Sequence, residues 1–166
     1  VGSLWMIGQD YRSKLALISG ERAGVRQLLA LDVLDGELSH QRDNAARWKA
    51  SDILKEPTPA AKAAMSAMDA ANPRIAQSLE SLGATLNSEK ASADTLKRYE
   101  TLKASVAGMD IASLRTVGWW PDGYDRFTNA LGNLQSLREQ IAMDSGLILD
   151  PWLETYLLMQ ISTQQI

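Results

Sequence analysis

YRSKLALISGERAGVRQLLALDVL, residues 11–34, is the stretch on which the fold turns. Tyr11, Leu15, Ile18, Val25 and Leu29 recur at three- or four-residue steps, with Leu28, Leu31 and Leu38 alongside, the spacing that lines one face of an α-helix. No proline interrupts the chain from Ser3 to about Ala50. At about 1.5 Å per residue, one helix over that span is on the order of 70 Å long. Such length suits an elongated bundle better than a compact globule.

Outward from this helix, punctuation divides the chain into further helical pieces. Lys55-Glu56-Pro57-Thr58-Pro59 is the first break, and Thr58 before Pro59 makes a capping and first-turn pair for a second helix. That helix runs through an alanine-rich stretch from Ala60. Asn72-Pro73 is expected to stop or kink it, after which Ile75, Leu79, Leu82 and Leu86 resume the spacing. Residues 88–92 read as a short turn. Leu96, Tyr99, Leu102 and Val106 mark a third helix ending near Gly108, and Asp110 caps a short turn through Leu114.

Trp119-Trp120-Pro121-Asp122-Gly123 reads as a connection into a fourth helix with the stripe Phe127, Leu131, Leu134, Leu137 and Ile141. Gly146 interrupts it, and Asp150-Pro151 opens a fifth with a capping aspartate and a first-turn proline. There is no sustained alternating strand pattern, glycine-rich phosphate loop or low-complexity segment. The fold class expected is all-α, an elongated antiparallel helical bundle with a long first helix, because similar helices joined by short breaks pack as antiparallel neighbours.

Composition narrows the chemistry. At 166 residues and 45% hydrophobic content, the chain supports one domain, or two short modules sharing long helices. A net charge of −3 offers no general basic footprint, so nucleic acid is not an expected partner. The absence of cysteine removes disulfides, thiolate metal sites and cysteine nucleophiles. His40 is the single histidine, which removes multi-histidine metal sites and most histidine-relay catalysis within one chain. Neither a metal nor a cofactor is expected, and no catalytic residue is assigned.

The polar side chains that stand out are few. Arg22 falls on the stripe from Tyr11 to Leu29 where an apolar residue is expected, and a buried guanidinium there needs acceptors. Asp144 follows Leu134, Leu137 and Ile141 at core spacing and offers a counterpart. The competing reading has Arg22 reaching water from a seam edge and Asp144 at a helix end. Glu21, Arg22, His40 and Arg42 form a loose polar set for a small anionic or polar ligand, since arginine forks match carboxylates; as solvated surface or interhelical pairs they need no ligand. One turn before His40 only Glu37 could share a metal ion, and one pair is not a metal site. Asp32 with Asp35, and Asp122 with Asp125, are carboxylate pairs of the kind common on solvated faces. Trp119 and Trp120 are suited to packing between layers or to walling a small-molecule pocket.

Three elements resemble a known class. Ser145-Gly146-Leu147-Ile148-Leu149-Asp150-Pro151, followed by Thr155-Tyr156-Leu157-Leu158-Met159, resembles a pattern in helical sensor regions of bacterial methyl-accepting chemotaxis proteins and related transmembrane kinases and diguanylate cyclases. That pattern is Ser-x-Leu-x-Leu-Asp-Pro, then Tyr-Tyr-Leu-Met. Glu21-Arg22-Ala23-Gly24 is similar to their Glu-Arg-x-Gly element, and His40-Gln41-Arg42 lies where they often carry His-Arg. Leu157 replaces the second tyrosine, Gln41 splits the His-Arg pair, and Met143 stands where an acidic residue often precedes the serine.

The resemblance implies a non-enzymatic, extracytoplasmic ligand-sensing region that passes a signal to a cytoplasmic output module. It implies the periplasmic portion of an inner-membrane protein, a homodimer formed along the first helix, and a ligand that is a small molecule or a periplasmic binding protein. Glu21, Arg22, His40, Arg42, Asp144 and Tyr156 are the candidate ligand contacts, and Asp150 and Pro151 the candidate hinge and cap. Residues 1–166 are read as a single helical sensor region, the N-terminal fragment of a longer domain. The fifth helix supports this with apolar residues on several sides: Trp152, Leu153, Tyr156, Leu157, Leu158 and Ile161. A structural or protein-interaction bundle without a small ligand is the alternative.

Overall fold

The computed structural model describes residues 2–118 and 120–147, with side-chain surroundings from residue 19 onward. Among the described residues the fold is all-helical, with no strand: α1 (Gly2–Leu54), α2 (Pro59–Ser88), α3 (Ala93–Val106), α4 (Ile111–Arg115) and α5 (Trp120–Asp144). The first helix has 53 residues, about 80 Å at 1.5 Å per residue. Its length exceeds the sequence expectation because Ser51 to Leu54 continue the helix before Lys55 turns out with φ of 55°.

Local chemistry accounts for the helix starts. Thr58 caps α2 by accepting the Ala61 N–H at 3.1 Å, with Pro59 in the first turn. Ser92 caps α3 by accepting the Thr95 N–H at 3.1 Å, and Asp110 caps α4 by accepting the Ser113 N–H at 2.9 Å. At Trp120 the expected connection is instead helix. Pro121 occupies a first-turn position where its missing N–H costs nothing, and Asp122 complements the positive end of the helix. Trp120 folds over Gly123, where a Cβ would lie 2.7 Å from the indole Cζ3.

Of the stop or kink expected at Pro73, the stop does not occur, and α2 runs through it to Ser88. Proline removes one intrahelical bond, and both Pro73 and Asp69, one turn before it, lie on the exposed side of α2. Neighbouring side chains also brace this turn. Gln41 donates to the Met68 carbonyl at 3.3 Å and to Asn72 Oδ1 at 3.0 Å, and Arg74 donates to the Ala70 carbonyl at 3.2 Å.

Buried positions alternate steps of three and four. On α1 these are Leu31, Leu34, Leu38, Gln41, Ala45 and Trp48. On α2 Ala61, Ala64, Met68, Ala71 and Ile75 follow suit, and on α5 Phe127, Ala130, Leu134, Leu137 and Ile141. These are coiled-coil-like seams, and full burial of each large side chain contributes about 1.5–3 kcal/mol. One core joins α1, α2, α3, α4 and α5.

Cross-helix contacts run in opposite chain order. Between α1 and α2, Gln27 meets Glu89, Glu37 meets Arg74, and Gln41 meets Asn72. Between α1 and α5, Gly24 meets Ser145, Asp32 meets Arg138, and Arg42 lies over the Tyr124 ring. Between α3 and α5, Thr95 meets Asp144 and Arg98 meets Ser136. Buried Leu28, Leu31 and Leu34 set the inward face of α1. Arg22 therefore faces out, and the stripe drawn through it from Tyr11 to Leu29 does not follow the core in the described part of the helix.

The candidate site at Gly24 and Asp144

The tightest approach of α1 to α5 occurs at Gly24. A Cβ there would lie 2.5 Å from Ser145 Cβ, collide with Ser145 Oγ, and stand 3.1 Å from Leu147 Cδ1. Only glycine lets the chain leaving α5 cross α1 this closely. Gly146, with φ of 71°, turns the chain at the same place, so Leu147 can bury itself against the core.

A cleft of about 390 Å³ opens beside this crossing. Gly20, Gly24 and Gln27 line it from α1, Glu89 and Ser92 from the α2–α3 turn, and Asp144 from the end of α5. Asp144 Oδ2 accepts from the Ser92 hydroxyl at 2.5 Å and the Thr95 hydroxyl at 2.7 Å, while Oδ1 accepts from Gln140 Nε2 at 2.8 Å. Desolvation pushes the Asp144 pKa up, but these three bonds and the charge of Arg98 outweigh it, and the net displacement is below the ordinary value. On the other wall, Glu89 accepts from Arg26 Nε at 2.6 Å and from Gln27 Nε2 at 2.8 Å. Both carboxylates act as clasps, joining α5 to the N-terminus of α3 and α1 to the α2–α3 turn.

The candidate residues from the sequence do not converge. Glu21 is half-buried and Arg22 exposed, one turn before Gly24. None of the described hydrogen bonds or ion pairs joins Arg22 to Asp144, whose oxygens are taken by Ser92, Thr95 and Gln140. His40 and Arg42 lie roughly 27 Å further along α1, at about 1.5 Å per residue. Exposed His40 lines a groove of about 540 Å³ together with Glu37, Arg47 and Arg74. Glu37 in that groove is engaged by Arg74 at 3.1 Å. Arg42 packs its guanidinium 5.6 Å from the Tyr124 ring centroid, and its Nε is buried with no acceptor among the described residues. Asp150, Pro151 and Tyr156 lie outside the described residues, as does the whole expected fifth helix.

Sequence reasoning missed two polar features. Arg138 NH2 contacts Asp32 at 2.5 Å and Asp35 at 3.2 Å, bridging α5 to α1 through the carboxylate pair set aside as solvated surface. The signal was present, because Asp32 and Asp35 flank the buried Leu31 and Leu34 while Arg138 flanks Leu137, the seam-edge positions where interhelical pairs form. Burial raises the Asp32 pKa; Arg138 opposes this and Asp35 adds to it. The second is Gln41, a polar residue in the middle of the α1 seam, 1% exposed. Among the described residues no cluster of three histidine, aspartate or glutamate side chains suits a metal ion, and no helix is long and apolar enough to cross a membrane.

No protein-family profile, curated protein or solved structure matches the chain. The functional reading therefore rests on the residues and their arrangement.

Proposed function

We propose that the chain is the extracytoplasmic ligand-sensing region of a bacterial transmembrane receptor of the chemoreceptor type, built as an elongated antiparallel helical bundle. The observation that carries this reading is the crossing at Gly24. The Glu21-Arg22-Ala23-Gly24 element and the start of the Ser145-to-Pro151 element are far apart in sequence, yet Gly24 packs directly on Ser145 and Leu147. Two elements that resemble sensor motifs thus meet at one packing point. The reversed order of contacts between α1, α2 and α5 supports the antiparallel arrangement.

In this reading the crossing is a pivot. Ligand binding beside it favours one of two packings of α1 against the end of α5, and a small displacement of either helix carries the signal through the membrane to an output module. The region acts in the periplasm as part of a homodimeric inner-membrane protein. Reading the gene on both sides of the segment tests the assignment. Two flanking membrane spans and a cytoplasmic signalling domain are the expected result, and a reading frame without spans refutes it.

One observation favours a structural or interaction bundle with no small ligand. The clusters at Asp144 and at Arg138 are satisfied from within the chain, as a purely structural bundle requires. A receptor whose output is unaffected by Gly24→Val while the protein stays folded would support that alternative.

A further inference from the structure

We propose that the groove where α1 ends and α2 begins binds a small organic phosphate, a dianion carrying a short apolar chain. The inference stands on this groove and is independent of the sensor reading. Its cavity measures about 240 Å³ and lies between the last turns of α1 and the first turns of α2, with Arg115 of α4 at its edge. A space of this size admits a molecule of a few non-hydrogen atoms.

Three cations from three parts of the chain line it: Lys55 on the turn after α1, Lys62 on α2 and Arg115 on α4. All three are exposed, so their charged heads are open to a ligand arriving from solvent. None of the described ion pairs engages them; those pairs take Arg26, Arg42, Lys49, Arg74 and Arg138. Asp52 is the one carboxylate among the described lining residues, and it faces Lys49 Nζ at 3.4 Å. The chain as a whole is acidic, with a net charge of −3, so this concentration of cations does not follow from composition. Lys55 is also held with φ of 55°, a region glycine occupies freely and lysine only with strain. A cation stands there at a conformational cost.

The lining selects both charge and shape. A phosphate monoester carries about −1.5 to −2 charges at neutral pH and presents three acceptor oxygens. These match the guanidinium fork of Arg115 and two ammonium groups, where a carboxylate offers a single charge. The end of α1 would oppose an anion with its negative pole, but the Ser51 and Asp52 carbonyls accept from the Glu56 and Lys55 N–H groups. Half-buried Met65 and exposed Pro57 supply apolar surface for a short alkyl chain, and Trp48 and Ala61 close the floor beneath it.

Isothermal titration calorimetry and thermal denaturation of the chain at low ionic strength test this, with n-butyl phosphate as probe beside sodium butyrate, inorganic phosphate and n-butanol. Butyl phosphate is expected to bind saturably and to raise Tm, with butyrate and inorganic phosphate weaker and butanol without effect. The double substitution Lys62→Gln with Arg115→Gln, at exposed positions, is expected to fold and to weaken binding about tenfold or more. Lys55→Gly is expected to raise the Tm of the free chain by relieving the positive φ, yet to weaken binding, two effects that a purely structural lysine would not combine. Lys97→Gln, at an exposed position on α3, should leave binding unchanged. The proposal is overturned by the absence of a saturable response, by equal or stronger binding of any of the other three compounds, by binding that survives the double substitution or Lys55→Gly, or by an equal loss in Lys97→Gln.

Discussion

Three glycines on one helix provide a controlled measurement of the crossing. Gly20, Gly24 and Gly36 all lie within α1, but a Cβ meets nothing within 4 Å at Gly20 or Gly36, whereas at Gly24 it collides with Ser145 and approaches Leu147 at 3.1 Å. In the open positions Gly→Ala should recover the full helix-propensity difference, about 0.8–1 kcal/mol of stabilisation. At Gly24 the same gain is set against overpacking of about 1–3 kcal/mol, so the net effect runs from about neutral to about 2 kcal/mol destabilising. The gap between Gly36→Ala and Gly24→Ala is then about 2 kcal/mol, or about 4–8 °C in Tm for a chain of this size. Urea denaturation followed by far-UV circular dichroism reads both variants on the same scale. Ser145→Gly removes the Cβ and Oγ that Gly24→Ala strikes, so in that background Gly24→Ala should lose most of its penalty, a coupling of about 1 kcal/mol or more. If Gly24→Ala stabilises as much as Gly36→Ala, the close crossing does not exist and the pivot falls with it.

Two carboxylates should give acid responses of opposite sign. Asp144 has a depressed pKa in the folded chain, so its contribution is present above the unfolded value and is lost as pH falls through the folded one; Asp144→Asn should lower stability at neutral pH by about 1 kcal/mol and make acid unfolding less steep. Asp32 has a raised pKa, so its protonation favours the fold on acidification. Asp32→Asn should therefore make acid unfolding steeper, and denaturation midpoints measured from neutral to acid pH decide both signs. Gln41→Leu should stabilise the chain by about 1 kcal/mol, because it removes a buried unpaired acceptor from an apolar seam; a loss of stability in thermal denaturation would show that the bonds to Met68 and Asn72 outweigh it.

The helical type of the described residues and several of the helix starts could be read from the chain because their signals are local. Thr58-Pro59, Asp110 and the proline-free run from Ser3 each act through a turn or two of backbone, and each element stands where that chemistry puts it. Pro73 left stop and kink both open for the same reason. Locally it is a helix breaker, but its cost depends on which side of α2 faces water and on whether Gln41 and Arg74 brace the turn. Trp120-Pro121-Asp122 misled in reverse, because a first-turn proline and an aspartate read equally well as loop or as helix start.

The phase of the first helix is where local reasoning ran out, and it decided the candidate site. Stepping four residues from Ile18 lands on Arg22, whereas the buried positions from Leu31 onward alternate three and four and leave Arg22 outside. Leucine occurs at 28, 29, 31, 34 and 38, so apolar content alone fits more than one stripe. What separates the stripes is partner chemistry: Asp32 and Asp35 must reach Arg138, and Gly24 must admit Ser145. Those constraints join residues more than a hundred positions apart, so they cannot be read by walking along one helix. Once they are applied, the inward face of α1 carries Gln41 in place of Arg22 as its polar interruption.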